Sequence, residues 1–563
     1  MHQLPSVSAA VAAELARGAT DVFALMGNGN AWLLDAIVRS GAMRVTTVRH
    51  EAGTVAAADA YHRASGRLAV ATVTYGPGFT NAITPLAEAA QARVPLVLVV
   101  GDRPTSGPRH WDIDQVGVAL AVDVPTITVG RDDAAEATRR AIETALVERV
   151  PVVLAIPYDI ASLAVTGSGA DADERESAGA AAPVVPDGAA LDRVAELLRA
   201  ARRPLLLAGR GAHLAGAAEA LRSLAERLDA RTASSALGSG IFAADHRHVG
   251  ISGGFASERA AAAIEAADIV VVVGAGLNQF QTRFGDAFAP DARVVQVDIA
   301  DAATSPLVTD AVLGDARLAA EGLLERLGGE RDGEQSGWAE AGFGDVTGVG
   351  RDREDGDEAA ADGRLDPRSL FRALDRILPD DRVVVQDGGH FIGWAPTYLR
   401  VADPERLIMV GTAFQTIGLG LPSAVGASVA RPDALTVLVT GDGGCLMALA
   451  DLDTVRRAVR RGVVVVCNDA AYGAEVHQYG VRGVAEEPML IEQVDFAALG
   501  RAVGAEGIVI ERLDDLALLE QWLDSGAEGV VVVDCRVSRE VVAPYMIEVV
   551  EAAKRSARAA SDA

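Results

Sequence analysis

The sequence predicts an α/β fold made of three doubly wound parallel-sheet domains. Short runs of Val, Ile and Leu alternate along the chain with Ala-rich stretches of helical composition. This alternation is typical of parallel strands that are covered by helices on both faces. A chain of 563 residues is also long enough for about three domains of ordinary size.

Two segments rich in Gly, Ala and acidic residues, 167–187 and 329–364, interrupt the alternation and predict surface linkers. They predict domains over 1–166, 188–328 and 365–546. A charged tail follows over 547–563. The apolar runs that predict strands are 21–25, 44–48, 68–74, 95–100 and 152–156 in the first domain, 204–208, 269–273 and 293–298 in the second, and 382–386, 435–440, 462–467 and 529–534 in the third.

The charge composition excludes several functions. With 51 Lys and Arg against 78 Asp and Glu, the net charge is −27, so a nucleic-acid partner is not expected. Lys554, in the tail, is the only lysine of the sequence. The chain therefore offers no lysine to form a Schiff base or to reach a nucleotide phosphate from a P-loop. A bound phosphate would have to be held by backbone N–H groups, by Arg or by a metal.

The cysteines and the hydropathy predict a cytoplasmic protein with no membrane partner. Cys445, Cys467 and Cys535 lie in apolar contexts without a Cys-x-x-Cys motif, which is typical of buried thiols in a reducing compartment. No apolar run approaches 18 residues, and no signal-like segment opens the sequence.

The most informative segment is 436–475. A buried strand runs into Gly441-Asp442-Gly443-Gly444, a helix of about 16 residues is expected next, and a second buried strand stops at Asn468. Neighbouring parallel strands end at the same edge of a sheet. Asp442 and Asn468 would then supply two oxygen ligands, a set that suits Mg²⁺ with a diphosphate. The N–H groups of Gly443 and Gly444 could approach that diphosphate. A lone Gly-Asp-Gly is more often only a tight turn.

This segment resembles the signature of thiamine-diphosphate enzymes, in which Gly-Asp-Gly is followed after a spacer by Asn. The resemblance implies that Asp442, Asn468 and the carbonyl of Ala470 bind Mg²⁺. It also implies that Gly441 and Tyr472, together with Gly443 and Gly444, contact thiamine diphosphate.

A second resemblance lies in the first domain. Residues 48–89, which begin Val-Arg-His-Glu and include Gly-Pro-Gly-Phe-Thr-Asn at 76–81, are similar to the pyrimidine-binding domain of the acetolactate synthase and benzoylformate decarboxylase group. The resemblance implies that Glu51 is catalytic, by hydrogen bonding to N1′ of the aminopyrimidine. Taken alone, Glu51 would more often be an acid in the first turn of a helix, which the helix dipole favours.

Residues 409–424 are similar to the family segment that shapes the cofactor. By this resemblance Ile417 would lie under the thiazolium, and the carbonyl of Gln415 would accept a hydrogen bond from the aminopyrimidine. The turn at 386–390 matches the one that contacts the diphosphate, which makes Gly389 and His390 cofactor-binding candidates. A lone histidine, however, is usually structural.

The sequence departs from the family at substrate-facing positions. Acetolactate synthases have Gln at the position of Asp102 and Gly at the position of Asn28, and the His of decarboxylases near Thr74 is missing. Asn28 could equally be a turn residue with positive φ. The substrate-site candidates are Asn28, Thr74, Asp102, Glu475 and His477, with His50 and His110 as further proton carriers.

No tightly bound FAD is expected in the middle domain. Asp245-His246 is not followed by the Gly-Met-His-Gly-type stretch of flavin-containing relatives. Gln279 also stands where a dinucleotide fingerprint has its third glycine.

These resemblances imply a thiamine-diphosphate- and Mg²⁺-dependent enzyme. It would decarboxylate a small 2-oxo acid and then either protonate the product or join it to an aldehyde or ketone acceptor. The alternatives are an FAD-containing 2-oxo acid oxidase of the same superfamily and a non-catalytic paralogue that only binds the cofactor. Because Glu51 and the metal ligands lie in different domains, the resemblance implies sites between two subunits of a homodimer or, as a dimer of dimers, a homotetramer.

Overall fold

The computed structural model describes residues 4–166, 182–243, 245–328, 336–351, 356–526 and 528–562. In these residues it contains three six-stranded sheets, and the named strands pair in parallel throughout. The predicted fold class is therefore confirmed.

The first sheet is formed by β1 (Asp21–Ala24), β2 (Arg44–Thr47), β3 (Ala69–Val73), β4 (Leu96–Asp102), β5 (Thr126–Thr128) and β6 (Pro151–Pro157). The strand order is β2-β1-β3-β4-β6-β5. Its helices are α1 (Val7–Gly18), α2 (Ala31–Ser40), α3 (Glu51–Ser65), α4 (Pro77–Asn81), α5 (Ile83–Gln91), α6 (Gln115–Leu120) and α7 (Ala134–Glu148).

The middle sheet is formed by β7 (Pro204–Ala208), β8 (Arg231–Ser234), β9 (His248–Ile251), β10 (Ile269–Val273), β11 (Arg293–Asp298) and β12 (Asp310–Leu313). The strand order is β12-β11-β10-β7-β8-β9. Its helices are α8 (Gly188–Ala200), α9 (Arg210–Leu214), α10 (Ala218–Leu228), α11 (Glu258–Glu265) and α12 (Ala316–Leu327).

The third sheet is formed by β13 (Arg382–Gln386), β14 (Leu407–Met409), β15 (Leu435–Gly441), β16 (Arg461–Cys467), β17 (Glu506–Ile510) and β18 (Gly529–Cys535). The strand order is β14-β13-β15-β16-β18-β17. Its helices are α13 (Pro367–Ile377), α14 (Trp394–Tyr398), α15 (Gly420–Ala430), α16 (Asp442–Met447), α17 (Leu452–Ala458), α18 (Gly473–Gln478), α19 (Phe496–Ala502), α20 (Leu516–Asp524) and α21 (Pro544–Asp562).

The strands of the central positions were predicted from the sequence, but β5, β8, β9, β12, β14 and β17 were not. All of these except β8 form a sheet edge, and β5, β12 and β17 are largely half-buried or exposed. Edge strands with this mixed composition lack the continuous apolar run that marks a strand buried on both faces.

The single helix predicted after Gly444 is wrong. Helix α16 ends at Met447, a 3-10 turn spans Leu449–Asp451, and α17 follows. The interruption coincides with Asp451, a buried carboxylate that accepts hydrogen bonds from the backbone N–H of Arg49, 2.7 Å away, and from the Thr454 hydroxyl. The 3-10 turn that replaces the predicted continuous helix therefore ends at a residue held by a tertiary contact.

The second predicted linker is not a surface segment throughout. Trp338, Val346 and Val349 are buried in the core of the middle domain, so residues 336–351 pack against its sheet. Residues 167–181, 329–335 and 352–355 of the predicted linkers lie outside the described residues. The predicted tail is the helix α21 up to Asp562.

The central strands of the sheets are buried on both faces. Along β3, for example, Ala69 and Ala71 face one apolar cluster whereas Val70 faces another, which is the alternation expected of a doubly wound sheet. The cluster that contains Ala69 also contains Val385 of β13. The first and third domains of one chain therefore share a core, and α3 and α15 cross within it.

The three cysteines are buried and free, as predicted. None of the helices in the described part of the chain combines the length and apolar character needed to span a membrane.

Candidate active site

The two predicted metal-binding side chains lie at adjacent strand ends. Gly441 of β15 is paired with Cys467 of β16, so Asp442 and Asn468, the next residues, follow directly opposed positions. Both are almost fully buried, with 3 % and 1 % of their surface exposed. The structure thus brings together the pair that the sequence spacing suggested.

Asp442 is a buried carboxylate held by backbone N–H groups. Its two oxygens accept hydrogen bonds from Gly443 N at 2.8 Å and from Ala471 N at 3.2 Å. Burial raises its pKa, and among the described residues no Arg, Lys or His forms an ion pair with it. A buried carboxylate of this kind is stabilised by a bound cation, which fits a metal site.

The orientation of the Asn468 amide is fixed by its neighbours. Its Nδ2 donates to the carbonyl of Val494 at 2.9 Å and to Asp534 Oδ1 at 2.8 Å. Since both partners are acceptors, the nitrogen must be on that side, and Oδ1 faces away from them. Oδ1 accepts one hydrogen bond, from Gln493 Nε2 at 2.8 Å, which leaves an acceptor position for a cation.

Ala470, the third predicted ligand, has a left-handed backbone with φ of +58°. A non-glycine residue rarely adopts this conformation, and such residues occur preferentially at functional sites. Its carbonyl accepts a hydrogen bond from Ile491 N at 2.9 Å and retains a second lone pair.

Four predicted cofactor-binding glycines lie where a side chain would collide with the protein. A Cβ on Gly443 would lie 2.6 Å from the Tyr472 ring, and one on Gly444 would lie 2.7 Å from Asp387 Oδ2. Gly389 and Gly441 both lie against the Phe391 ring in the same way. The bare backbone that results is suited to close approach by a diphosphate.

Asp387, which was not among the predicted site residues, connects the segments that form this cradle. The fully buried carboxylate accepts hydrogen bonds from Gly388 N (2.8 Å), Gly418 N (3.1 Å) and the Thr440 hydroxyl (3.0 Å). It thereby joins the diphosphate turn, the Gln415 loop and the end of β15. Its place between a buried strand and two glycines was the available sequence signal.

His390 and His477 lie together beside this cradle, with ring centroids 4.5 Å apart. His390 Nε2 accepts a hydrogen bond from Ala543 N at 2.9 Å, and burial lowers its pKa to about 3. The neutral ring therefore carries its proton on Nδ1. His477 Nε2 is buried without a hydrogen-bond partner among the described residues, whereas Glu475, on the same helix α18, is exposed.

The Gln415 loop is exposed in the single chain. Gln415 has a positive φ of 59°, which is a second left-handed non-glycine residue among the candidates. Ile417 is half-buried, and a Cβ on Gly388 would lie 3.0 Å from its Cγ2. The loop thus lies directly beside the diphosphate turn.

In the first domain, Glu51 is the first residue of α3 and is half-buried. Asn81 Nδ2 donates to Glu51 Oε2 at 3.0 Å. A Cβ on Gly78 would lie 2.6 Å from Thr74 Cγ2 and 3.5 Å from Glu51 Oε1. Glu51 and Thr74 therefore flank the same glycine.

The comparisons with known proteins concern the whole chain. Three models of thiamine pyrophosphate enzymes match it: the N-terminal TPP binding domain over residues 5–118, the central domain over 191–323 and the C-terminal TPP binding domain over 387–535. The chain belongs to the thiamine pyrophosphate enzyme family. It is accordingly a thiamine-diphosphate-dependent enzyme, and the comparisons give no indication of FAD.

Two kinds of relative resemble this thiamine pyrophosphate enzyme. The acetolactate synthase large subunit of Parasynechococcus marenigrum is 32% identical, with 86% of this chain and 78% of the relative covered. The sulfoacetaldehyde acetyltransferase of Castellaniella defragrans is 29% identical, with 97% and 95% covered. The acetolactate synthase isozyme 3 large subunit of Escherichia coli is 28% identical, with 92% and 91% covered.

Asn28, a predicted substrate-site residue of this thiamine pyrophosphate enzyme, lies in a turn but does not have the positive φ that the alternative interpretation requires. Its Nδ2 donates to the Tyr75 hydroxyl at 2.9 Å. The guanidinium of Arg109 lies over the Tyr75 ring, 4.4 Å from its centroid, and is paired with Asp112. Tyr75 and Arg109 were not predicted as neighbours of Asn28, because each lies on a different loop from Asn28.

Asp102 is the last residue of β4, and only 7 % of its surface is exposed. It accepts hydrogen bonds from Arg103 N at 2.8 Å and from Gln115 Nε2 at 3.1 Å. Gln115 in turn accepts from Gly76 N. Burial raises the pKa of Asp102. The carboxylate thus fastens the Gly76 turn to the sheet.

The candidates of the thiamine pyrophosphate enzyme form two groups in one chain. Glu51, Thr74 and Asn28 lie at the carboxyl edge of the first sheet, and the Asp442–Asn468 pair lies at that of the third. The described residues provide no hydrogen bond or ion pair that joins Glu51 to Asp442 or Asn468.

Proposed function

We propose that this enzyme catalyses the thiamine-diphosphate- and Mg²⁺-dependent decarboxylation of a 2-oxo acid, followed by protonation or by addition to an aldehyde or ketone acceptor. The observation that carries the proposal is the buried Asp442–Asn468 pair at the carboxyl edge of the third sheet, beside a glycine cradle. Relatives named acetolactate synthase support this reaction class.

Mg²⁺ would be held by the Asp442 carboxylate, Asn468 Oδ1 and the Ala470 carbonyl. A hard cation takes oxygen ligands of this kind and fills its shell with phosphate oxygens and water. The diphosphate would lie against Gly389, His390 and the N-terminus of α16 at Gly441–Gly444. Ile417, Tyr472 and the Gln415 carbonyl would orient the ring system.

Bound thiamine diphosphate would supply the electron sink for the carbon that loses CO₂. The role of Glu51 is to hold and move a proton at N1′ of the pyrimidine ring. Asn81 occupies Glu51 Oε2, so Oε1 is the oxygen that remains for this proton. Asn28 and Thr74 would line the substrate pocket, with Glu475 and His477 as proton carriers from the third domain.

The site would be completed by a second copy of the chain, with Glu51 from one subunit and the metal ligands from the other. We infer a homodimer or a dimer of dimers on this basis. Within the described part of one chain no hydrogen bond or ion pair joins Glu51 to Asp442 or Asn468, and the Gln415 loop is exposed, which supports this arrangement. The three buried free thiols fit a reducing cytoplasm.

A second candidate reaction is acetyl transfer. The sulfoacetaldehyde acetyltransferase of Castellaniella defragrans matches 97% of this chain, whereas the acetolactate synthases of Parasynechococcus marenigrum and Escherichia coli match 86% and 92%. Sulfoacetaldehyde therefore belongs in any substrate test, with product mass as the measurement.

The test is a panel of 2-oxo acids, with and without aldehyde acceptors, read by CO₂ release and product mass for the wild type and for Glu51→Gln. We expect the wild type to release CO₂ from at least one acid and Glu51→Gln to be slower by about 100-fold or more, while it still binds the cofactor. Glu148→Gln, an exposed change on α7, is the matched control.

Near-full turnover by Glu51→Gln would contradict the proposed mechanism. A thermal shift with thiamine diphosphate and Mg²⁺, but no turnover of any panel member, would instead identify a non-catalytic paralogue. Absorbance near 450 nm in the purified protein would identify a flavoprotein.

A further inference from the structure

We propose that the segment Ala543–Tyr545, where the C-terminal helix α21 begins, is a positioning device for the diphosphate turn at Gly389–His390, with the Tyr545 hydroxyl as its main contact. The inference rests on the proposed role of this turn in holding the cofactor diphosphate. Ala543 and Tyr545 belong to no motif, and they lie more than 150 positions from the turn in the sequence.

The segment contacts the turn through hydrogen bonds to main-chain and ring acceptors and through a contact between the Tyr545 and His390 rings. The Tyr545 hydroxyl has one proton, which is shared between the carbonyl of His390 at 3.0 Å and that of Gly389 at 3.2 Å. Ala543 N donates to His390 Nε2 at 2.9 Å. Only 7 % of the Tyr545 surface is exposed, and Ala543 is fully buried. Water therefore does not compete for these contacts.

These contacts determine which hydrogen-bond donors the turn offers to the proposed diphosphate. Because Ala543 N occupies Nε2 of His390, the neutral ring has its proton on Nδ1 and can donate it to an anionic oxygen. The Tyr545 hydroxyl holds both carbonyls of the turn, which restricts the backbone around Gly389, where φ is +134°. Burial raises the pKa of Tyr545, so the hydroxyl remains a donor over the working pH range.

The segment is itself held by the middle domain. The Tyr545 ring packs edge-on against Phe255 and Phe280, with centroids 5.9 and 5.7 Å away. Glu548, one turn along α21, forms an ion pair with Arg283 at 2.7 Å. A Cβ on Gly254 would lie 2.7 Å from Tyr545 Cβ. Tyr545 therefore links the middle domain to the diphosphate turn.

The segment Ala543–Tyr545 also packs closely against Gly393, which follows the diphosphate turn. A Cβ on Gly393 would lie 3.0 Å from both Ala543 Cβ and Tyr545 Cδ1. The segment thus fits between the two domains with glycine on each side, and removal of the hydroxyl alone leaves this packing in place. Tyr545→Phe is for that reason a selective test.

The experiment measures thiamine diphosphate binding to the full-length protein with Mg²⁺, by quenching of tryptophan fluorescence. For Tyr545→Phe we expect Kd to rise about five- to twentyfold, because the carbonyls of Gly389 and His390 lose the hydroxyl proton that they share. Inorganic diphosphate with Mg²⁺ should lose affinity by a similar factor. At saturating thiamine diphosphate, kcat should return to within about threefold of the wild type. The unfolding temperature of the cofactor-free protein should fall about as much as in the Tyr61→Phe control, which also loses a buried hydroxyl.

Tyr61→Phe is the matched control. Tyr61 is also buried, and its hydroxyl donates to Asp21 in the first domain at 3.1 Å. The Tyr61→Phe variant should have a lower unfolding temperature but an unchanged Kd for thiamine diphosphate. An unchanged Kd in Tyr545→Phe, with normal binding by the wild type, would overturn the inference. Failure of the wild type to bind thiamine diphosphate would overturn the cofactor site itself, and the inference with it.

Discussion

Asn468 presents its oxygen to the proposed metal position because Asp534 and the Val494 carbonyl both accept from its nitrogen. Asp534 is fully buried, and its second oxygen accepts from Phe496 N at 3.0 Å. Arg536 compensates its charge. A ligand held in this way loses little entropy on binding a metal, so the supporting residue should matter nearly as much as the ligand.

Asp534→Asn should therefore weaken the metal site without removing a ligand. The new amide nitrogen offers a donor where Asn468 Nδ2 and Phe496 N both need acceptors, so the Asn468 amide loses its fixed orientation. We expect the Mg²⁺ concentration for half-maximal activity to rise about 10- to 100-fold. A Mg²⁺ titration of the variant tests this.

The control for that titration is Asp524→Asn, an exposed change at the end of α20. The same Mg²⁺ requirement in both variants would show that Asp534 does not orient the ligand.

Residue-level prediction succeeded where the chain itself sets the spacing. Asp442 and Asn468 each follow a buried apolar run, so their meeting at one sheet edge could be inferred. Asp387 and Asp534 act on atoms that are 31 to 66 positions away. No local pattern reports such contacts, because they depend on strand order and register, which only the folded sheet determines.

At the scale of elements, the crossing of α3 and α15 determines how the first and third domains of one chain pack. The helices approach so closely that a Cβ on Gly426 would overlap the carbonyl oxygen of Ala57. The Arg63 guanidinium, on α3, donates to the carbonyl of Met409 and pairs with Asp59 and Glu88. Glycine is thus required at position 426 by a neighbouring backbone.

Gly426→Ala should destabilise the protein although alanine favours helices. The overlap forces the two helices apart, and overpacking of this kind costs about 1–3 kcal/mol, more than the helix propensity gained. Urea denaturation measures the change. Gly276→Ala, which meets no atom within 4 Å, is the control and should be nearly neutral. Equal stability of the two variants would contradict the close crossing.

The central strands could be predicted because burial on both faces requires long apolar runs, whereas β5, β12 and β17 at sheet edges carry polar residues and gave no such run. The break between α16 and α17 escaped prediction for another reason. The 3-10 turn between them ends at Asp451, which contacts Arg49 of a different domain, and local helix propensity does not include such a contact.

At the scale of the whole molecule, stability should depend on pH through buried histidines. His62 lies on α3 at the junction with the middle domain, with Nδ1 at 2.7 Å from the Arg67 carbonyl. Burial is the main reason that its pKa is lowered to about 4, and Arg210 and Arg149 lower it further, whereas Asp59 acts in the opposite direction. The folded protein therefore holds His62 neutral where the unfolded chain would protonate it.

The lowered pKa of His62 determines how the free energy of unfolding changes with pH. Below pH 6.5 the unfolded chain binds a proton at His62 that the folded chain does not, so the free energy of unfolding falls as the pH drops toward 4. At pH 5 this amounts to about 2 kcal/mol. Urea denaturation at pH 7 and pH 5 should show a smaller loss for His62→Gln than for the wild type. Equal losses would contradict the assignment.

In the proposed assembly, each active site combines Glu51 of one subunit with Asp442 of another. The most direct measurement mixes Glu51→Gln subunits with Asp442→Asn subunits, each inactive alone, after dissociation and reassembly with different affinity tags. In a mixed dimer one site carries both changes and the other carries neither. We predict recovery of about one quarter of wild-type activity from an equal mixture. Mixed oligomers that are present by tag but no more active than the separate variants would contradict the claim.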